Sequence, residues 1–317
     1  MLAARAFALI VAGAAASAIA QTAAAPPPAE TADPTAQAAS APAALGRPWS
    51  LRLPTIDKVV FRGSVNHDAA GMGTGAMMYP APNAIGLLAA VLTHGLISSS
   101  ARESQKSQMQ SEADKVLQPF ESVLSAFTNR RLMEEGLRRM STAGSKRVIA
   151  PADASAGDWL IESAPVFSMT QDRGALVLDN VVRIYAPGSS KVNYAQTVRV
   201  VSRPLSAPPS PTAPTEAETS SDLAPLWLES EGRRLVDSSV ALFAESLDIA
   251  LDQASLPTVE EKSPYRTFRY AEGGSERMER AQLVSESCGR TLIRTLRGWL
   301  MSIPAASSLP LGCTPKV

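Results

Sequence analysis

Three consecutive stretches rich in β-branched and aromatic residues, joined by very short connections, restrict the fold of this chain more than any other feature. They cover residues 159–170, 175–185 and 192–201. The connections are Gln171–Gly174 and Ala186–Ser190, whereas parallel strands need a crossover of about a dozen residues or more. The sequence therefore predicts a three-stranded antiparallel meander over residues 159–203.

The segment before the meander mixes one strand pattern with several helical ones. Ile56–Val65 is predicted as a strand, and Ile85–Ile97 is a compact apolar run predicted as a buried or interfacial helix. Residues 102–127 repeat apolar side chains at three- and four-residue steps. Pro119 interrupts that stripe and predicts a kink or a second helix, since proline lacks an N–H. A short helix is predicted over Arg130–Met140.

The chain after the meander predicts a helix at Trp227–Gln253 and a short strand at Tyr265–Tyr270. Gly273-Gly274 then precedes Ser275, a favoured N-cap residue, and the segment from there to Ser302 is predicted as the last helix. The predicted fold class is α+β: a three-stranded antiparallel meander plus one further strand, packed with amphipathic helices.

The N-terminus has the pattern of a cleavable secretory signal peptide over residues 1–20. A charge at Arg5 is followed by the apolar run Ala6–Ala16, and Ala18-Ile19-Ala20 is an A-x-A cleavage site. The apolar run is shorter than the roughly 20 residues of a membrane-spanning helix. We therefore expect cleavage after Ala20, a periplasmic mature protein and no transmembrane span in the mature chain.

Two compositionally biased segments divide the remainder. Residues 21–49 are rich in Ala, Pro and Thr, and such a composition predicts a disordered linker, because it buries too little apolar surface to offset the entropy of ordering. Residues 204–222 are Pro-rich and polar, which predicts a long disordered loop. The expected organisation is a single α+β domain over residues 50–317 that carries this loop.

Charge and chemistry exclude several classes of function. Lys and Arg number 30 and Asp and Glu number 30, while aromatic residues make up 5%, so neither a polyanion-binding surface nor a base-stacking platform is indicated. The only histidines, His67 and His94, do not form a metal-binding motif. We therefore expect no nucleic acid, cofactor or metal. Carboxylates such as Glu162 and Asp179 lie on predicted strands, where an exposed position is the default.

The only cysteines, Cys288 and Cys313, are predicted to form a disulfide, because two cysteines in an oxidising compartment usually pair. In this interpretation the bond clamps the C-terminal tail to the last helix.

Two stretches are predicted as interaction surfaces. Leu88, Leu92 and Leu96 share one side of the apolar helix. Arg290, Arg294 and Arg297 fall at i, i+4 and i+7 of the predicted last helix and form a basic stripe. Such a stripe fits an envelope protein or a lipid surface; a solvated or internally paired face is the alternative.

The sequence favours an exported, non-enzymatic protein that binds another component of the cell envelope. The alternatives are a periplasmic hydrolase-like enzyme with a site assembled from scattered residues, and a carrier of an apolar ligand. The order of helix, antiparallel strands and helix after a signal and linker resembles small envelope-assembly accessory proteins of Gram-negative bacteria. That resemblance is one of architecture and implies no activity.

Overall fold

A computed structural model describes residues 48–65, 101–142, 144–153, 157–205, 222–256, 263–287 and 289–305. The helices of this part are α1 (Ala101–Asp114), a 3₁₀ helix (Lys115–Phe120), α2 (Glu121–Ala126), α3 (Asn129–Arg139) and α4 (Ala224–Ser255). Its strands are β1 (Trp49–Arg52), β2 (Val60–Gly63), β3 (Lys146–Ile149), β4 (Trp159–Met169), β5 (Leu176–Tyr185), β6 (Val192–Val201), β7 (Tyr265–Glu272), β8 (Ser275–Ser287), β9 (Arg290–Thr295) and β10 (Leu300–Pro304).

The predicted meander is present. β4 pairs antiparallel with β5, and β5 pairs antiparallel with β6, with Leu178 opposite Phe167 on one side and Val200 on the other. The Gln171–Gly174 connection is a tight turn in which the Arg173 N–H donates to the Thr170 carbonyl at 2.8 Å. Short connections thus set the local pairing, as expected from the sequence.

The sheet is larger than the predicted meander with one further strand. Ten described strands form one sheet in the order β3-β1-β4-β5-β6-β10-β9-β8-β7, and β2 pairs with the far half of β4. β1 and β2 both run parallel to β4, and β10 runs parallel to β6. The expected strand Ile56–Val65 is reduced to β2, and β1 and β3 were not predicted.

The predicted last helix is wrong. Residues 275–302 form β8, β9 and most of β10 instead. Glu272 pairs with Ser275, so Gly273-Gly274 is a two-residue hairpin turn, and Gly273 has φ of +64°. The residues Glu, Arg, Met, Ala and Gln in β8 favour helices intrinsically, but strand pairing on both sides overrides that preference.

The other helices agree with their sequence patterns. The stripe over residues 102–127 is divided into α1, the 3₁₀ helix with Pro119 inside it, and α2. α4 covers the predicted Trp227–Gln253. Its backbone is non-helical at Glu229–Gly232, so a short first turn is separated from the long packed segment.

Two apolar clusters lie on opposite faces of the sheet. The larger one contains Leu178 and Val200 of the meander together with Val240, Phe243 and Leu247 of α4. The smaller one includes Val177, Val201, Phe268, Tyr270 and Met301. Two strands separate β10 from β7 in the sheet order, so the contacts that β7 makes with β10 require the sheet to curl. The β7–β8 hairpin therefore covers part of the face turned away from α4.

Several predicted features lie outside the described residues. These are the signal peptide, residues 21–47 of the linker, the helix Ile85–Ile97 with Leu88, Leu92 and Leu96, residues 206–221 of the loop, both histidines, Cys288 and Cys313.

Candidate functional site

The face of the sheet turned away from α4 carries a connected group of charged and aromatic side chains. Along β5, Leu178 and Val182 belong to the main core, so Asp179 points to the other face. Arg199 of β6 lies directly opposite Asp179 in the antiparallel register. Cross-strand neighbours on one face are within side-chain reach of each other.

Asp179 is the centre of this group. Arg199 donates to both of its oxygens, with Nε to Oδ1 at 2.6 Å and Nη2 to Oδ2 at 2.7 Å. Arg62 of β2 approaches the same Oδ2 with its Nη2 at 3.8 Å, and its Nε donates to Ser168 Oγ at 3.2 Å. Two guanidinium groups therefore share one carboxylate.

Trp299 continues the group on the far side of Arg199. The guanidinium carbons of Arg199 and Arg297 lie 5.5 Å and 5.6 Å from the centre of its ring. Both distances are in the range of cation–π contacts. We call Arg62, Asp179, Arg199, Trp299 and Arg297 the arginine row.

The arginine row is partly open to solvent. The exposed fraction of the side chain is 42% for Arg62, 31% for Arg199 and 17% for Asp179, and Arg297 is exposed. Asp179 is thus the least accessible charged member, which suits it to holding the arginines in place.

The electrostatics of the row keep Arg199 positively charged. Burial alone would lower the pKa of Arg199, but the charge and hydrogen bonds of Asp179 outweigh burial and raise it. Burial raises the pKa of Glu279 on β8, and the charges of Arg297 and Arg199 offset part of that rise.

A second polar group lies on the same face, nearer to β1. Glu162 of β4 accepts from Arg52 Nη1 at 2.9 Å and from the Tyr185 hydroxyl at 2.8 Å. The pKa of Tyr185 is raised, first by burial and then by this carboxylate. Both oxygens of Glu162 are thus already engaged by neighbouring side chains.

Glu162 and Asp179, the two carboxylates noted in the sequence, do not meet each other. Each is held by arginine. A β-bulge between Ile184 and Tyr185 shifts the β5–β6 register by one residue, so the hairpin connection Ala186–Ser190 alone would place Asp179 opposite Val198 rather than Arg199. Arg62 was missed altogether, since its contact depends on the parallel pairing of β2 with β4.

The predicted basic stripe is dispersed by the strand geometry. Arg290 Nε donates to Glu245 Oε1 of α4 at 2.9 Å, and Arg294 Nη2 donates to Gln253 Oε1 at 3.2 Å. Both therefore point to the helix side of the sheet. Arg297 lies past the end of β9, in the turn beside Trp299. Only Arg297 of the three belongs to the arginine row.

Comparison with family models, curated proteins and solved structures finds no match for this chain. In the described ranges, no helix is both long enough and apolar enough to cross a membrane. The same ranges contain no group of three or more His, Cys, Asp or Glu side chains placed to hold a metal ion.

Proposed function

We propose that the mature chain is a non-enzymatic periplasmic protein that binds another component of the cell envelope, and that the arginine row is its binding site. The observation that carries this proposal is the partly exposed set of Arg62, Arg199 and Arg297, aligned by Asp179 and Trp299. Export is inferred from the signal pattern in residues 1–20.

The chemistry of the row favours binding over turnover. Arg and Trp dominate the residues that carry binding energy in interfaces, because each combines a large contact area with directional donors. Asp179 has both oxygens occupied by Arg199, so it acts as a support rather than as a proton acceptor. Guanidinium groups remain protonated in proteins and serve recognition.

Export is tested by cell fractionation and intact-mass measurement of the recovered protein. We expect the chain in the periplasmic fraction with Gln21 as its first residue. A cytoplasmic protein that retains residues 1–20 would remove the basis of the proposal.

The binding site is tested by placing a photo-crosslinking amino acid at position 296, where the exposed Leu296 lies next to Arg297, in cells with an intact envelope. We expect a discrete adduct with an envelope component, and we expect Arg62→Ala in the same chain to weaken it. The matched control carries the crosslinker at position 134, where the exposed Glu134 of α3 lies outside the row. Equal adducts from both positions, or an adduct that Arg62→Ala leaves unchanged, would contradict a site at the row.

A further inference from the structure

We infer that the arginine row binds a phosphate group, an inference that rests on the binding role proposed above. The first argument is charge. The guanidinium groups in and beside the row are those of Arg62, Arg199, Arg277 and Arg297, and the carboxyl groups that act on them are those of Asp179, Glu272 and Glu279. This part of the face therefore keeps a surplus positive charge, which only an anion complements.

The second argument is the direction of the donors. Arg62 uses its Nε on Ser168, and its Nη groups make no hydrogen bond to the described residues, with Asp179 Oδ2 lying 3.8 Å away. Arg297 lies over Trp299 and likewise donates to none of the described side chains or carbonyls. Ser168 and Trp299 thus orient two arginines whose terminal donors are available to a ligand.

The third argument separates phosphate from carboxylate. A carboxylate has two oxygens and is satisfied by one guanidinium fork, as Arg199 satisfies Asp179. A phosphate group has more acceptor oxygens and can accept from several guanidinium groups at once, and arginine is the side chain best matched to it. Arg62 and Arg199 flank Asp179, and Arg297 lies beyond them beside Trp299, so the row offers several guanidinium groups to phosphate oxygens.

The purified mature protein offers a direct reporter of this site. Of its four tryptophans, Trp49, Trp159 and Trp227 are buried, and only Trp299 is partly exposed. Titration with inorganic phosphate, glycerol 3-phosphate or phosphatidylglycerol vesicles should therefore change the fluorescence saturably. Trp299→Phe should remove the change.

Variants assign the binding to the row. We expect Arg62→Gln and Arg297→Gln each to raise the Kd at least about tenfold, because each removes a charge-assisted contact. Arg62→Lys keeps the charge but loses the fork, and it should bind more weakly than the native chain. The matched control is Arg131→Gln, which removes the same charge from an exposed ion pair on α3 and should leave the Kd unchanged. Circular dichroism checks that all variants are folded.

The probes distinguish the source of the phosphate. Saturable binding of inorganic phosphate or glycerol 3-phosphate supports a soluble phosphate ligand, and binding of phosphatidylglycerol vesicles alone supports a lipid headgroup. Succinate, and vesicles of oleic acid mixed with monoolein, provide carboxylate charge without any phosphate group. If these bind as tightly as the phosphate probes, or if Arg131→Gln weakens binding as much as Arg62→Gln, the inference is overturned.

Absence of binding to every probe also overturns the phosphate inference, but it leaves the proposed function standing if a crosslinker at position 296 still forms a specific adduct in cells. Conversely, phosphate binding without any envelope adduct would retain the site and reject the proposed function.

Discussion

Asp172 lies where two turns of the sheet meet, the turn between β4 and β5 and the turn between β7 and β8. Its carboxylate accepts from the backbone N–H of Gly174 at 2.9 Å and from that of Gly274. A Cβ on Gly273 would lie 2.5 Å from Asp172 Oδ1, so this close approach requires glycine. One side chain thus fastens the curled hairpin to the rest of the sheet.

Replacing Asp172 with alanine should lower the free energy of unfolding by about 1–3 kcal/mol at neutral pH, because two backbone donors lose their acceptor. Burial raises the pKa of Asp172, but hydrogen bonds from Thr170, Gly174 and Gly274 outweigh burial and hold it below the ordinary value of 3.8. Because the pKa of Asp172 is lower in the folded state than in the unfolded state, its carboxylate stabilises the fold above the unfolded-state pKa. This stabilisation is lost as the pH falls through the folded-state pKa.

Urea unfolding of the native chain and of Asp172→Ala at pH 7 and pH 3 measures this effect. The difference in unfolding free energy between the two proteins should shrink at the lower pH. Glu286→Ala removes a carboxylate from an exposed ion pair on β8 and serves as the control, with little effect at pH 7. A difference for Asp172→Ala that is equally large at both pH values would show that the carboxylate charge is not the cause.

At the scale of elements, the contact between α3 and α4 depends on the absence of a side chain. Gly136 of α3 faces the ring of Phe243, which is fully buried on α4. An ideal Cβ at position 136 would lie 2.5 Å from Phe243 Cδ1 and 3.0 Å from Cε1. The two helices therefore pack too closely to leave room for a side chain at position 136.

We expect Gly136→Ala to destabilise the protein by about 1–2 kcal/mol. This is expected even though the intrinsic helix propensity of alanine is about 1 kcal/mol more favourable than that of glycine. The reason is that the added methyl group overlaps a ring with no free space beside it. Glu134→Ala in the same helix controls for helix propensity and should change stability by less than about 0.5 kcal/mol.

A double-mutant cycle with Phe243→Leu tests the mechanism, since the smaller side chain should relieve part of the cost of the added methyl group. Additive effects of the two substitutions in thermal or urea unfolding would show that the helix contact is not responsible.

At the scale of the whole molecule, Glu245 connects α4 to the end of the second half of the sheet. Its Oε1 accepts from Ser302 Oγ at 2.5 Å and from Arg290 Nε at 2.9 Å. Arg290 Nη1 also donates to the Val201 carbonyl at 2.7 Å. This cluster joins α4, β6, β9 and β10, and so holds α4 against the parallel β6–β10 pair and the neighbouring β9.

Glu245→Ala should cost about 2–4 kcal/mol in the free energy of unfolding, because it leaves the poorly accessible Arg290 without its carboxylate. Burial lowers the pKa of Arg290, and the charge of Glu245 offsets part of that effect. The control is Asp237→Ala, which removes an exposed ion pair with Arg139 from the same helix and should cost less than about 1 kcal/mol. Similar losses for the two variants in urea unfolding would argue against a special role for Glu245.

The pairing of Cys288 with Cys313 stays a prediction. It was based on a last helix, and the structure has strands in place of that helix. Ser287 ends β8 and Arg290 begins β9, so the described residues on either side of position 288 belong to strands and the predicted last helix is absent there. Ala305 N donates to the Gly289 carbonyl at 2.9 Å, so the chain is back at Gly289 eight residues before Cys313 in the sequence. Eight extended residues span at most about 26–29 Å.

We expect non-reducing peptide mapping of the periplasmic protein to recover one Cys288–Cys313 peptide. Such a bond would stabilise the fold by about 3.5 kcal/mol in the chain-entropy model. Reduction of that bond should lower the thermal midpoint, whereas two freely alkylatable thiols in the unreduced protein would reject the pairing.

The structure agrees with the sequence-based predictions where contacts are local. The meander follows from connections that are too short for a parallel crossover, and α4 follows from apolar residues at helical spacing around Leu235 and Leu242. The candidate site could not be predicted in the same way, since the Asp179–Arg199 pair depends on the β-bulge between Ile184 and Tyr185, which shifts the hairpin register by one residue. Arg62 and Trp299 reach the site from distant parts of the chain.

The sequence by itself determined the antiparallel meander, the long helix after it and the break at Pro119, because hairpin length, helical period and a missing N–H act within a few residues. Only the tertiary structure decided that Ser275–Ser302 is extended, that β10 lies parallel to β6, and that Arg290 faces inward while Arg297 faces outward. Residues such as Glu276–Gln282 have helix-favouring side chains, and their preference of a few tenths of a kcal/mol each is smaller than the gain from pairing and burying a strand. Pairing of that kind depends on partners far away in the chain, and a local pattern does not encode where those partners lie.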